Sequence, residues 1–337
     1  MANLTVGVIG YGYWGINLVR NFFNATDCTV KAVADGRPER LALLAKNFPS
    51  IHGVKTADEI INDPQIDAVV IATPVFSHFE LAKKVILNGK NVLIEKPITS
   101  SVAEADELIN LATQKGVTIM VDHTFLYTGA VEKMKELIDT GVIGTPRYFD
   151  SSRINLGLFQ PDVNVLWDLA PHDISILTYL VNEMPDSINA TGISHTKNGI
   201  ENIAYMTVNY NNDFIAHFNC SWTSPVKVRQ TLIGGDKKMI VYNDLEPTEK
   251  VRVYDTGYSH KTEEDKTRVM VDYRTGDIFI PKVKLSEALL GMANDFVQSI
   301  IKKKAPLANA ELGKRVIQIL EASQVSIKNG GKEVKIK

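Results

Sequence analysis

Asp168 and His172 stand four residues apart in WDLAPHDISIL, the otherwise apolar stretch from Trp167 to Leu177. Side chains at that spacing share one face of a helix, so the pair can offer a carboxylate and an imidazole to one neighbour. Imidazole titrates near neutrality, where a general base has to work. The bland alternative is that Asp168 caps the helix and His172 is a satisfied core residue. Pro171 weakens that alternative: with Asp168 at the N-cap, the third helical residue has no N–H, and only Ala170 could donate to the capping oxygen. Asp173 points away from His172, because adjacent helical residues do not share a face. A second candidate lies in VLIEKPITS, where Glu95 and Lys96 close an apolar run that Pro97 stops. These two read either as an ion pair on an exposed face or as charges at the carboxyl end of a buried strand, where ligands meet a parallel sheet.

The elements that must position these residues begin at the N-terminus. Apolar runs alternate with segments of helical spacing: LTVGVI then WGINLVRNFF, CTVKAVA then PERLALLAKNF, DAVVIAT then FELAKKVILNG, NVLIE then VAEADELINLATQKG, and finally VTIMVD. Strand, helix, strand, helix in this order predicts a doubly wound parallel sheet over residues 1–122. The first strand runs into GYGYWG, with Gly10, Gly12 and Gly15 at G-x-G-x-x-G spacing and Tyr13 and Trp14 between them. Gly10 permits a tight turn, Gly12 lets the backbone approach a pyrophosphate held by the helix N-terminus, and Gly15 allows close helix-to-strand packing. Alone, such glycines can serve only backbone geometry. Asp35 ends the second strand near the place where an acid receives the ribose hydroxyls of a dinucleotide, and the two features together point to one. An acid there repels a 2'-phosphate, which favours NAD over NADP. Arg37 complicates that preference, since a guanidinium can stack on adenine or pair with a phosphate. Thr73 and Pro74 lie at the end of the strand DAVVIAT and line the ligand crevice, with His78 either beside them or simply at a helix terminus. His123 follows the strand VTIMVD, close to where a nicotinamide would lie.

Beyond residue 122 the pattern changes. FLYTGAVEKMKELIDTG has helical spacing, and ENIAYMTVNY and DFIAHFNCSW alternate in period two around Asn211 and Asn212, as in a hairpin. TPRYFDSSRI, VKVRQTLIG and KKMIVYND are further strands, with a turn at Gly234 and Gly235, and two amphipathic helices close the chain. Residues 123–337 therefore read as an α+β domain.

With 337 residues and 45% hydrophobic content, the chain has material for two cores. Its 37 basic and 39 acidic residues are mixed along the sequence, which gives no electrostatic reason to expect nucleic acid or a membrane surface. Cys28 and Cys220 form no metal-type pair, and the N-terminus lacks a signal-peptide pattern, so a reduced cytoplasmic setting is expected. His123, Asp168 and His172 could in principle ligate a metal, but no H-E-x-x-H or cysteine cluster supports this, and no metal is expected.

GYGYWG, Asp35, IATPVFSH, VLIEKP and DLAPH occur in the order in which they occur in the Gfo/Idh/MocA oxidoreductases, and the sequence resembles that family, most specifically in VLIEKP together with DLAPH. The resemblance implies a Rossmann domain followed by an α/β domain whose large, mostly antiparallel open sheet forms the substrate cleft and a homodimer or homotetramer interface. It also implies that Lys96, Asp168 and His172 are the catalytic group. His172 would take the proton of a substrate hydroxyl as the adjacent carbon gives hydride to NAD, while Lys96 and Asp168 hold that hydroxyl. Arg153 and Asn155 are expected to reach a substrate phosphate and a sugar hydroxyl, with Tyr148, Tyr273 and Arg274 as further candidates. RINLG and YRTGDIFIP resemble members that act on nucleotide-activated sugars for surface polysaccharides, which implies oxidation at C3 of a UDP-linked N-acetyl amino sugar. The alternatives are a myo-inositol or free-sugar dehydrogenase, an NAD-retaining glycosidase, and a non-catalytic NAD-sensing protein.

Overall fold

Five of the first six strands are largely buried apolar runs, which is what a parallel sheet flanked by helices requires, and the other, His52–Val54, is a short edge strand exposed at His52 and Gly53. The six are β1 (Leu4–Ile9), β2 (Cys28–Ala34), β3 (His52–Val54), β4 (Ala68–Ile71), β5 (Asn91–Ile94) and β6 (Ile119–Val121), with every side chain of β4 buried. In this computed structural model, which describes residues 3–211, 213–259 and 272–336, they pair in the order β3-β2-β1-β4-β5-β6, all parallel. That is the doubly wound order whose ligand crevice opens where β1 and β4 diverge, beyond the carboxyl ends of the strands. The crossovers run through α1 (Tyr13–Phe23), α2 (Pro38–Asn47), α3 (Ala57–Ile61), α4 (His78–Leu87) and α5 (Val102–Lys115). The start and stop of α5 show how local chemistry sets the boundaries: Ser101 Oγ accepts the Glu104 N–H at 3.3 Å, and Gly116 ends the helix at φ 66°.

The chain divides into two units, Met1–Thr128 with Ser286–Glu321, and Gly129–Leu285 with Ala322–Lys337. The sequence reading put everything after residue 122 in the second domain. The helix Ala288–Ile301 and most of the helix Ala310–Lys328 fall instead in the first unit, because their apolar stripes complete its core. Phe296 meets Phe22 edge-on at 6.0 Å, Asp295 accepts the Tyr127 hydroxyl at 2.8 Å, and Gly313 lies where a Cβ would be 2.7 Å from Val121.

The second unit opens with α6 (Gly129–Asp139). The longer helix expected there is interrupted, since Thr124–Tyr127 forms a 3-10 turn before α6 begins. Next come β7 (Pro146–Leu156), α7 (Val165–Val181), β8 (Ser187–Ile193), β9 (Ile203–Asn209), β10 (Ile215–Ser221), β11 (Thr223–Gly235), β12 (Met239–Asn243) and β13 (Val251–Tyr254). The short strands β14 (Gly257–Ser259), β15 (Asp272–Arg274), β16 (Ile278–Phe279) and β17 (Val334–Lys335) follow. Among the described residues nine strands form one sheet in the order β16-β13-β12-β11-β7-β10-β9-β8-β17, antiparallel except at β7–β10, while β14 and β15 pair separately. The expected β9–β10 hairpin is present, with Asn209 opposite Ile215; Asn212 lies outside the described residues. Gly234 and Gly235 are not the turn but the end of β11, and Gly235 N–H donates to Lys238 O at 2.9 Å across it. Gly234 is needed because a Cβ there would sit 2.0 Å from the Tyr148 ring.

Alternation along β7 and β10 turns Phe149, Ser151, Arg153, Ala216, Phe218 and Cys220 inward, and α7 packs against β7, β9 and β10. Tyr148, Tyr205 and Ile215 are exposed. Among the described residues no helix is long and apolar enough to cross a membrane.

Candidate functional site

The glycine turn after β1 is built for close approach. Gly10 has φ 97°, and a Cβ on it would lie 2.5 Å from Ala72 O; one on Gly15 would lie 2.1 Å from Gly10 O. Gly12, the N-cap of α1, is open: the nearest atom to a Cβ there is Arg37 Nη2 at 3.7 Å, and no side chain caps the helix. The N–H groups of the first turn are therefore available to an anion. Tyr13, 79% exposed, and Trp14 stand beside this turn with rings perpendicular at 5.3 Å. Asp35, just past β2, accepts the Tyr11 N–H at 2.9 Å and the Arg37 N–H at 3.0 Å. The Arg37 guanidinium grips both its oxygens, Nε at 2.9 Å and Nη2 at 2.8 Å. Burial pushes the Asp35 carboxyl up, but the Arg37 side chain and these backbone donors outweigh it and hold the pKa at about 2. An ionised acceptor beside an open glycine cradle fits the ribose and diphosphate of a dinucleotide.

His78 is not a crevice residue. Its ring is buried, with Nδ1 2.9 Å from Pro97 O and Nε2 2.8 Å from Thr73 O, so it ties the loop after β4 to the loop after β5. Burial lowers its pKa against the pull of the Thr73, Pro97 and Ile98 carbonyls. Thr73 shares a 2.7 Å hydroxyl contact with Ser77, and Pro74 is exposed at the start of a 3-10 turn. Glu95 is not half of an exposed ion pair either. It is buried, takes the Lys96 N–H at 2.9 Å, and is hydrogen-bonded to Asp122, which also accepts from the Thr124 hydroxyl. Burial and then the Asp122 charge push the Glu95 carboxyl well above its ordinary range, and burial raises Asp122 as well. Lys96 emerges half-buried from this acid pair.

His123 is fully enclosed, and neither ring nitrogen has a hydrogen-bond partner among the described residues. Burial, followed by the Lys96 charge, lowers its pKa from 6.5 to about 3, so the imidazole is neutral. An orphaned buried donor and acceptor at the end of β6 fits the amide of a nicotinamide. One consequence concerns stability. Below pH 6.5 the unfolded chain binds a proton at His123 that the folded chain refuses, so stability falls as pH drops, by about 1.4 kcal/mol per pH unit, until pH nears 3. Urea unfolding above and below pH 6.5 checks this. The slope should flatten in His123→Phe, and an equal slope in both proteins would contradict it.

In the second unit α7 starts earlier than expected. Asn164 caps it, its Oδ1 accepting the Leu166 N–H at 3.1 Å and the Trp167 N–H at 3.2 Å. Asp168 thus lies inside the first turn and is no cap, and Pro171 sits within the helix, so the capping argument built on Pro171 does not apply. Asp168 instead accepts the Trp222 indole N–H at 2.9 Å. His172 lies one turn on, half-buried like Asp168.

Asp173 turns the other way, as its helical position requires. Its two oxygens take Arg153 Nε and Nη2, both at 2.7 Å, with each side chain 4% exposed. This corrects the expectation for Arg153: its fork is spent on a buried carboxylate, and a phosphate would have to displace Asp173. Burial opposes the guanidinium charge, but Asp173 outweighs it and keeps the group charged. Asn155 is half-buried, its Nδ2 3.2 Å from where a Cβ on Gly157 would stand. Tyr148 contacts Met239 Sδ at 3.2 Å; Arg274 donates to Lys237 O at 2.6 Å and pairs with Asp255, and Tyr273 is exposed. Asn164, Trp222 and Asp122 were missed. Asn164 stands directly before an apolar run, the usual signature of an N-cap, whereas the partners of Trp222 and Asp122 are distant in sequence and leave no local trace.

The Rossmann sheet with its glycine cradle, joined to a large mixed sheet, defines a dinucleotide-binding protein with a second α/β domain. Residues 4–123 match the model of an oxidoreductase family with an NAD-binding Rossmann fold, and residues 131–241 match the GFO/IDH/MocA C-terminal domain. The chain belongs to the Gfo/Idh/MocA oxidoreductase family, and its first domain is the family's NAD-binding domain. It is 30% identical over 200 residues to an uncharacterized oxidoreductase of Streptococcus pneumoniae, matching 55% of this chain and 52% of that one. The chain thus spans about half the length of that curated relative. To UDP-N-acetylglucosamine 3-dehydrogenase of Acidithiobacillus ferrooxidans it is 29% identical over 218 residues, 62% of this chain and 64% of the other. The solved structure of that enzyme superposes with a TM-score of 0.81 at 22% identity, covering 98% of this chain and all of the other, a likeness of fold. The NADP-dependent scyllo-inositol 2-dehydrogenase IolW of Bacillus subtilis is 25% identical over 351 residues, 96% of this chain and 94% of its own.

Proposed function

We propose that the protein is an NAD-dependent dehydrogenase that oxidises a ring hydroxyl of a sugar, at C3 of a UDP-linked N-acetyl amino sugar. The observation that carries the reading is the pairing of Asp168 and His172 on one face of α7, with Asp168 held by a buried indole and Asp173 diverted to Arg153. NAD, when bound, accepts the hydride. His172 takes the hydroxyl proton as general base. Asp168 and Lys96 hold the hydroxyl, and Lys96 stabilises the negative charge that develops on its oxygen as the proton leaves. The buried acid pair of Glu95 and Asp122 lies behind Lys96 at the base of this group. His123 and the turn from Gly10 to Gly15 orient the dinucleotide, with Tyr13, Trp14, Thr73 and Pro74 at its edges and Asp35 on the ribose. The amino-sugar assignment is supported by the likeness to the Acidithiobacillus enzyme; oxidation of an inositol is the competing form, supported by the likeness to IolW. The setting we infer is cytoplasmic, with a second copy covering the exposed sheet face around Tyr148, Tyr205 and Ile215.

Asp35→Asn keeps an acceptor for the Tyr11 N–H and removes the charge. Calorimetry should show NAD binding about tenfold weaker or more, the worth of a hydrogen bond to a charged group. Unchanged affinity would remove Asp35 from the cofactor site. Titration with UDP-N-acetylglucosamine tests the substrate, and no binding at millimolar ligand sinks the nucleotide-sugar form.

A further inference from the structure

We propose that Trp222 is a positioning residue for catalysis: its indole N–H fixes the orientation of the Asp168 carboxylate. The inference rests on the reading of Asp168 given under Proposed function. Asp168 sits on α7 and Trp222 between β10 and β11, and the two are joined by Nε1 donating to Oδ2 at 2.9 Å. An indole N–H can only donate, so it holds a carboxylate oxygen in one role and cannot exchange with it as a hydroxyl could.

The donor itself is locked. Trp222 is 1% exposed, its backbone N–H bonds Asn202 O at 3.0 Å, and its carbonyl accepts the Gly157 N–H at 2.9 Å. Phe159 stacks on the indole at 5.6 Å and 30°. Gly157 passes so close that a Cβ there would lie 2.7 Å from Trp222 Cδ1. The segment after β7, the approach to β9 and the β10–β11 corner therefore converge on one ring, and that ring presents its single polar atom to Asp168. A side chain that touches the substrate gains from such support, because a small misplacement costs much of the advantage of proximity.

A buried tryptophan also needs a partner for its N–H for stability alone, so the test must separate the two roles. Trp222→Phe, Asp168→Asn and the double variant are compared for kcat, KM and NAD affinity, with NAD and UDP-N-acetylglucosamine as substrates. Trp222→Phe should lower kcat about tenfold or more, the loss of a hydrogen bond to a charged group, with NAD affinity unchanged. In the Asp168→Asn background the same change should cost little further, because residues acting as a unit are not additive. If Trp222→Phe does not fold, benzothienylalanine at position 222, isosteric with tryptophan but lacking the donor, carries the same comparison. Full additivity, or a wild-type kcat in the donor-less variant while Asp168→Asn is impaired, overturns the positioning role alone. A wild-type kcat in Asp168→Asn, or no turnover of this substrate by the unaltered protein, overturns the underlying reading and this inference with it.

Discussion

His172→Ala loses turnover by a factor of about a thousand, within the range that a positioned general base contributes, and binds NAD as tightly as the unaltered protein. The two halves of this result have separate causes. Gly10, Gly12, Gly15, Asp35 and His123 all belong to the first unit, whereas His172 belongs to the second and lies half-buried on α7. Truncating it removes the proposed base and leaves the glycine cradle and the ionised Asp35 untouched. Stopped-flow measurement of hydride transfer, with calorimetric titration of NAD, separates the steps. Weakened NAD binding in the variant would contradict the division of roles, and undiminished turnover would remove His172 from the catalytic group.

Asp173→Ala should destabilise the fold by about 3–5 kcal/mol, the cost of leaving a buried guanidinium without its carboxylate. Arg153 and Asp173 are each 4% exposed and meet through two 2.7 Å bonds, so the lost partner leaves the guanidinium charge shut away from solvent. Replacing both, Arg153→Met with Asp173→Leu, should recover most of the loss, since apolar packing of similar volume often matches a buried pair. Urea unfolding of the single and double variants checks this. A single variant within about 1 kcal/mol of the unaltered protein, a value expected for exposed pairs, would show that the ion pair is not closed as described.

These two residues also show how far the sequence could be read. Asp173 was expected to turn from His172 by helical geometry alone, and it does. Arg153 read as a candidate phosphate ligand because nothing in a strand's local pattern reveals a carboxylate twenty residues on; the pair exists only once α7 lies on β7. The first sheet was legible because fully buried parallel strands are apolar runs, and AVVI or NVLI admits few other readings. His52–Val54 was missed as a strand, being three residues with little apolar content. Asp168 and His172 were placed correctly on one helix face, but the helix start was not, since Asn164 lay three residues upstream of the segment that drew attention. Glu95 read either as half of a surface ion pair or as a charge at the end of a buried strand, and neither reading could show its partner Asp122, which follows the neighbouring strand and meets it only across the sheet. The two closing helices read as part of the second domain since sequence order was the only guide, yet Phe296 completes the core around Phe22.

Oxidation of a UDP-linked amino sugar at the expense of NAD can be followed by the absorbance of NADH. The protein is incubated with NAD and UDP-N-acetylglucosamine, and in parallel with myo-inositol and with free N-acetylglucosamine. NADH should accumulate with the nucleotide sugar and not in the parallel reactions. Accumulation with myo-inositol alone, or consumption of the nucleotide sugar without net NADH, would contradict it.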